Sequence, residues 1–139
     1  MNSARLPRGF TLIELVVVIV IIAILSVIAV SAYGNYITRS KVQAAKADLT
    51  ALSLNLENEL QRQLMYGAHD GIKTDEIVKT YKGWHPSQSN SFTYVLTSSA
   101  TFYDMKAEGF SGALSTCVLE LRSDTTGSVA GNCGSVTTW

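Results

Sequence analysis

Charge is scarce in this chain, and neither sign is in excess. Among 139 residues there are 11 Lys plus Arg and 11 Asp plus Glu, so the formal net charge is zero and charged residues are only 16% of the whole. That balance excludes a strongly basic nucleic-acid scaffold and an acidic disordered tail. Proline occurs twice and the ten glycines follow no period, which excludes collagen-like and low-complexity material. No nucleophile elbow, phosphate-binding loop, metalloprotease helix or paired-cysteine redox motif is present, so the sequence argues against an enzyme and implies no cofactor. His69 and His85 lie in a polar stretch without an obvious Ser or Cys partner, and read as solvated side chains. Asp70, Asp75 and Glu76 lack the alternating ligand spacing of a calcium loop.

What the chain has in plenty is apolar surface, unevenly spread. Leu15 to Val30 reads LVVVIVIIAILSVIAV, with Ser26 as its one polar member. Counted from Phe10 to Ala32, the segment would make roughly 35 Å of helix, sufficient to cross a hydrocarbon core of about 30 Å. Arg5 and Arg8 precede it and no acid stands among the first nine residues. The positive-inside rule therefore keeps the start of the chain cytoplasmic and sends the C-terminal region outward. A single-span anchor fits this pattern. So does a removable secretory signal, with Val30-Ser31-Ala32 as the cleavage site.

Neither reading explains Glu14. A carboxylate in an apolar membrane helix costs about 2.5–3.5 kcal/mol at the centre and somewhat less near an end. It needs a cationic partner, and its own helix offers none nearby in the C-terminal direction. If the chain is cut between Gly9 and Phe10, a new ammonium appears four residues before Glu14. In a bundle of such helices, Glu14 of one copy can meet the amine of a neighbour while both stay out of lipid.

The segment Arg8-Gly9-Phe10-Thr11-Leu12-Ile13-Glu14-Leu15 resembles the type IV pilin and pseudopilin superfamily. Its signature is a short basic leader, Gly, the cut, and Phe-Thr-Leu-Ile-Glu-Leu, followed by an apolar run. The resemblance implies that a prepilin peptidase cuts after Gly9 and N-methylates Phe10, and that Glu14 is the assembly carboxylate. It implies other pilin subunits, the inner membrane before assembly and the pilus assembly machinery as partners. The mature domain would be periplasmic, then part of an extracellular pilus. One departure is Ser31, where pilins of this kind commonly carry proline. Ser31 and Gly34 still permit local melting, because both are weak helix formers.

Beyond the apolar run, Val42, Ala45, Leu49, Leu52, Leu56, Leu60 and Leu64 recur every three or four residues. Lys41, Lys46, Asp48, Glu57, Glu59 and Arg62 lie between them. The expected element is an amphipathic helix ending near Tyr66, with Gly67 as terminator. Taken with the apolar half, it is one helix from Phe10 to about Met65. The apolar half has no polar face and must be covered by lipid or by other subunits, so the pattern alone points to an assembling subunit. Residues 67–90 read as a connecting loop. Strands are expected at Ser91–Thr97, Thr101–Ala107 and Thr116–Arg122, with a weak fourth at Ser128–Ala130. Phe92, Tyr94 and Leu96 share one face. The fold class is α+β: a long N-terminal helix packed on a three- to four-stranded antiparallel sheet. The organisation runs as a 1–9 leader, a 10–32 membrane and assembly half, a 33–66 amphipathic half, the 67–90 loop, and a 91–139 sheet with a C-terminal loop.

Cys117 and Cys133 are the only cysteines. In an outward-facing, oxidising compartment a disulfide is the natural reading, and many pilins close such a C-terminal loop. A zinc site from both cysteines and both histidines lacks close Cys pairs. Lys79, Tyr81, Lys82 and Trp84 alternate cations with aromatic rings, a pattern that can hold nucleic acid by phosphate contact and stacking. The same rings can pack back onto the helix. Loss of Arg5 and Arg8 leaves the mature chain slightly acidic, which argues against nucleic acid. The reading is a type IV pilus subunit, a minor pilin in assembly or initiation serving adhesion or twitching motility. A type II secretion pseudopilin is the nearest alternative, and a DNA-uptake pilin is one of a different class.

Overall fold

The computed structural model describes residues 10–139, so the leader and Gly9 lie outside the described residues. The chain divides into two units, one ending at Gly34 and the other running from Asn35 to Trp139. Helix α1 is Leu12–Gln63. In the first unit every described side chain from Phe10 to Val30 is exposed, as expected of a segment whose covering is not its own chain. This stretch is long and apolar enough to cross a membrane. Ser26 donates its hydroxyl to the Ile22 carbonyl at 2.7 Å, which satisfies this side chain within the helix.

The second unit is helix against sheet. Strands β1 (His69–Lys73), β2 (Phe92–Ser98), β3 (Tyr103–Gly109), β4 (Val118–Arg122) and β5 (Gly127–Ala130) form one antiparallel meander in chain order. The sheet thus has five strands rather than three or four. The additional one is β1, and the short helix α2 (Thr74–Thr80) follows it, both within the stretch read as a connecting loop. β1 was hard to see because His-Asp-Gly-Ile-Lys is polar, and a bulge lies between His69 and Ile72 where Gly71 takes φ +63°. Edge strands tolerate such sequences, since only one side must pair.

Period-two alternation places Phe92, Tyr94 and Leu96 on the inner face, all fully buried, with Tyr103, Met105 and Ala107 of β3 and Leu119 and Leu121 of β4. Val42, Ala45, Leu49, Leu52 and Leu56 of α1 meet them in one core. The stripe ends earlier than expected. Leu64 is exposed and takes φ +60°, its N–H reaching the Leu60 carbonyl at 2.7 Å, so it fills the left-handed closing position expected of Gly67. Past it the chain folds back. Tyr66 donates to Glu57 Oε1 at 2.9 Å, its ring stands edge-on to Tyr103, and the Gly67 carbonyl accepts from Ser98.

The Cys117–Cys133 disulfide closes the β4–β5 hairpin at its base. Gly131 is required beside it: φ is +76°, and a Cβ there would fall 1.7 Å from the Thr116 carbonyl oxygen. With both sulfurs bonded to each other, the zinc alternative is removed.

Candidate functional site

The start of α1 is a reciprocal cap. Thr11 Oγ1 accepts the Glu14 backbone N–H at 3.3 Å, while Glu14 Oε2 accepts the Thr11 backbone N–H at 3.0 Å and its hydroxyl at 2.9 Å. This is a capping box, satisfying donors that the first helical turn otherwise leaves open. The carboxylate also sits at the positive end of the helix dipole. Thr11 is therefore a partner of Glu14 that the reading of the sequence missed. The signal was present in Thr11-Leu12-Ile13-Glu14, a Thr three residues before an acid at the head of an apolar run.

The cap uses Oε2. Among the described residues Oε1 takes no hydrogen bond, and a carboxylate has lone pairs enough for further donors. Phe10, Ile13, Glu14, Val17 and Val18 line a shallow, largely apolar recess in this unit, with Phe10 89% exposed. The arrangement holds one carboxylate oxygen in a fixed rotamer at the mouth of an apolar surface. It is fitted to receive a cation that arrives with apolar surroundings of its own.

The other candidate residues lie in the second unit. Trp84 is buried, its indole N–H donating to the Asp48 carbonyl at 2.8 Å and its ring edge-on to Tyr94. Tyr81 is half-buried and donates to Glu59 Oε2 at 2.8 Å, with His69 Nε2 at 3.3 Å. Burial, followed by the Glu59 carboxylate, pushes the Tyr81 phenol well above its ordinary range. Lys79 and Lys82 are exposed. The sequence alternation thus separates in space: the cations face solvent while both rings pack inward. A base cannot stack on Trp84 in this arrangement.

The same region shows one polar residue of α1 that belongs to the core rather than between the stripe members. Asp48 is buried. Its carboxylate accepts the Ser87 and Gln88 backbone N–H groups, the Ser87 hydroxyl and, at 2.6 Å, the Tyr94 hydroxyl. It pins the loop before β2 to the helix. Ala45, Asp48 and Leu52 are spaced by three and four, so the periodicity itself placed Asp48 within the stripe.

Residues 5–30 match the family profile of the prokaryotic N-terminal methylation motif. No curated protein and no solved structure matches the chain at a significant level. The chain carries a type IV pilin-like prepilin signal, which indicates a pilin-like or pseudopilin protein. The motif implies processing by prepilin peptidase and assembly with other pilin subunits, and with the apolar helix it suggests membrane anchoring.

Proposed function

We propose that this chain is a structural subunit of a type IV pilus, a minor pilin acting in assembly or initiation. The observation that carries the reading is Glu14 at the head of a fully exposed apolar helix. It is fixed by Thr11 through one oxygen, and among the described residues its other oxygen takes no hydrogen bond. Cleavage after Gly9 converts the Phe10 nitrogen into an ammonium, and this cation on a neighbouring copy pairs with Glu14 as the helices bundle. The pairing lets two charges leave water together, which neither can do alone. N-methylation of Phe10 leaves the amine cationic. The disulfide-closed β4–β5 hairpin supports a minor rather than a major subunit. The fibre in which it assembles serves adhesion and twitching motility.

The test is mass spectrometry of the protein produced beside a prepilin peptidase. The mature chain begins at N-methylated Phe10, and Gly9→Ala leaves uncut precursor in the membrane. A mature N-terminus at Tyr33 would instead mark a conventional secretory signal. Recovery in sheared pili separates the pilus subunit from a type II secretion pseudopilin, whose loss stops secretion and leaves pili intact.

A further inference from the structure

Arg39, Gln43 and Lys46 follow one another at spacings of four and three, and so share one face of α1. The C-terminal stretch 135–139 lies against that face, and between them is a cavity of about 230 Å³. Lys46 is 8% exposed. Its ammonium donates to the Thr138 carbonyl at 2.5 Å and stands 5.5 Å from the centre of the Trp139 ring. The ring is held in place by Gly127, where a Cβ would fall 2.1 Å from it. Among the described residues no carboxylate reaches ion-pairing distance of Lys46 or Arg39. The nearest acid in sequence, Asp48, spends its oxygens on Ser87, Gln88 and Tyr94.

A buried ammonium normally finds a carboxylate, because a carbonyl and an aromatic face return only part of its hydration. Here burial holds the Lys46 ammonium below its ordinary range, and no opposite charge raises it back. The cavity beside it is rich in donors: the Arg39 guanidinium, the Gln43 amide and the hydroxyls of Ser135, Thr137 and Thr138. Among the described residues these three hydroxyls make no hydrogen bond.

We propose that this cavity binds a phosphate-class anion, with Lys46 as the buried charge and Arg39 as the forked donor at the rim. A tetrahedral anion offers several acceptor oxygens to a donor set of this kind, and a guanidinium matches two of them at once. Two sources share the chemistry. One is free phosphate. The other is a phospholipid head group, for which the cavity is well placed in the chain: Tyr33 and Tyr36, exposed aromatics of the kind found at membrane interfaces, lie between the apolar run and Arg39. The inference stands apart from the pilin reading, since the residues that line the cavity all belong to the second unit.

The experiment uses the full chain in uncharged detergent micelles, with thermal unfolding followed at constant ionic strength. Inorganic phosphate is titrated in one arm and phosphatidylglycerol is doped into the micelles in the other. A site that binds only the folded protein raises its melting temperature as ligand is added. A response to phosphate assigns a free-anion site, and a response to phosphatidylglycerol alone assigns a head-group site. Arg39→Gln, at an exposed position, keeps the basal melting temperature and weakens the response about tenfold or more, as loss of a charge-assisted pair should. Lys46→Met, which keeps the packed stem, abolishes it. No rise in either arm beyond that of equimolar chloride overturns the proposal. So does an Arg39→Gln protein that responds as the parent does.

Discussion

Tyr94 of β2 donates its hydroxyl to the Asp48 carboxylate of α1 across 2.6 Å, inside the core of the sheet unit. The same carboxylate takes two backbone N–H groups from the loop before β2, so a single side chain registers helix, loop and strand. The burial is tolerated because each oxygen has donors.

Removing that carboxylate should be among the most damaging single changes in the second unit. Asp48→Ala takes their acceptor from the N–H groups of Ser87 and Gln88, and leaves the Tyr94 hydroxyl buried without a partner. The expected loss is about 3 kcal/mol, against about 1–2 kcal/mol for Tyr94→Phe, which removes one bond and leaves the carboxylate its other donors. Denaturant unfolding of the two variants measures the difference. Equal losses would mean that the loop contacts contribute nothing.

How much of this was legible in the sequence varies by element, for physical reasons. The inner face of β2 was readable because Phe92, Tyr94 and Leu96 alternate with polar residues, and alternation is what a half-buried strand must show. β1 escaped because an edge strand with a bulge at Gly71 has no such obligation. Asp48 and Lys46 were read by residue type as lying between the stripe residues, although their spacing put them beside Val42, Ala45 and Leu49. Type and period conflicted there, and the period was the better guide. Glu14 stood out because a lone acid in an apolar run is costly. Thr11 did not, because a threonine at the edge of such a run costs little and has a role only once its helix start is known.

The disulfide should contribute strongly in so small a unit. Replacing Cys117 and Cys133 together by Ser is expected to cost about 2–5 kcal/mol, through the greater freedom of the unfolded chain. Thiol titration under non-reducing, denaturing conditions should find no free thiol in the parent. Two free thiols would show that the bridge does not form.

Alkaline pH should loosen the core through its tyrosines. Burial first, and then Glu57, push the Tyr103 phenol up to about 12. The folded state therefore holds this proton more tightly than the unfolded chain, whose phenol titrates near 10. The resulting stability is whole below pH 10 and is lost as pH rises to about 12. Tyr94 is raised in the same direction by burial and then by Asp48. Unfolding midpoints should fall through that window, and less steeply for Tyr103→Phe. Tyrosinate absorbance rising fully near pH 10 with the fold intact would contradict the burial argument.

Glu14→Leu tests the assembly claim most directly. The change removes a charge from an apolar segment, so membrane insertion becomes easier. The sheet unit, which starts beyond Gly34, should fold as before, and cleavage after Gly9 should proceed. Incorporation into filaments should fall, because the neighbour's Phe10 ammonium would be buried without its counter-charge. An unpaired buried partner costs about 3–5 kcal/mol, a few hundred-fold or more in the docking equilibrium. The measurement is the amount of processed Glu14→Leu protein in sheared pili relative to membranes. The account predicts a stable, cleaved subunit that stays in the membrane fraction; recovery in pili at the parent's level would contradict it.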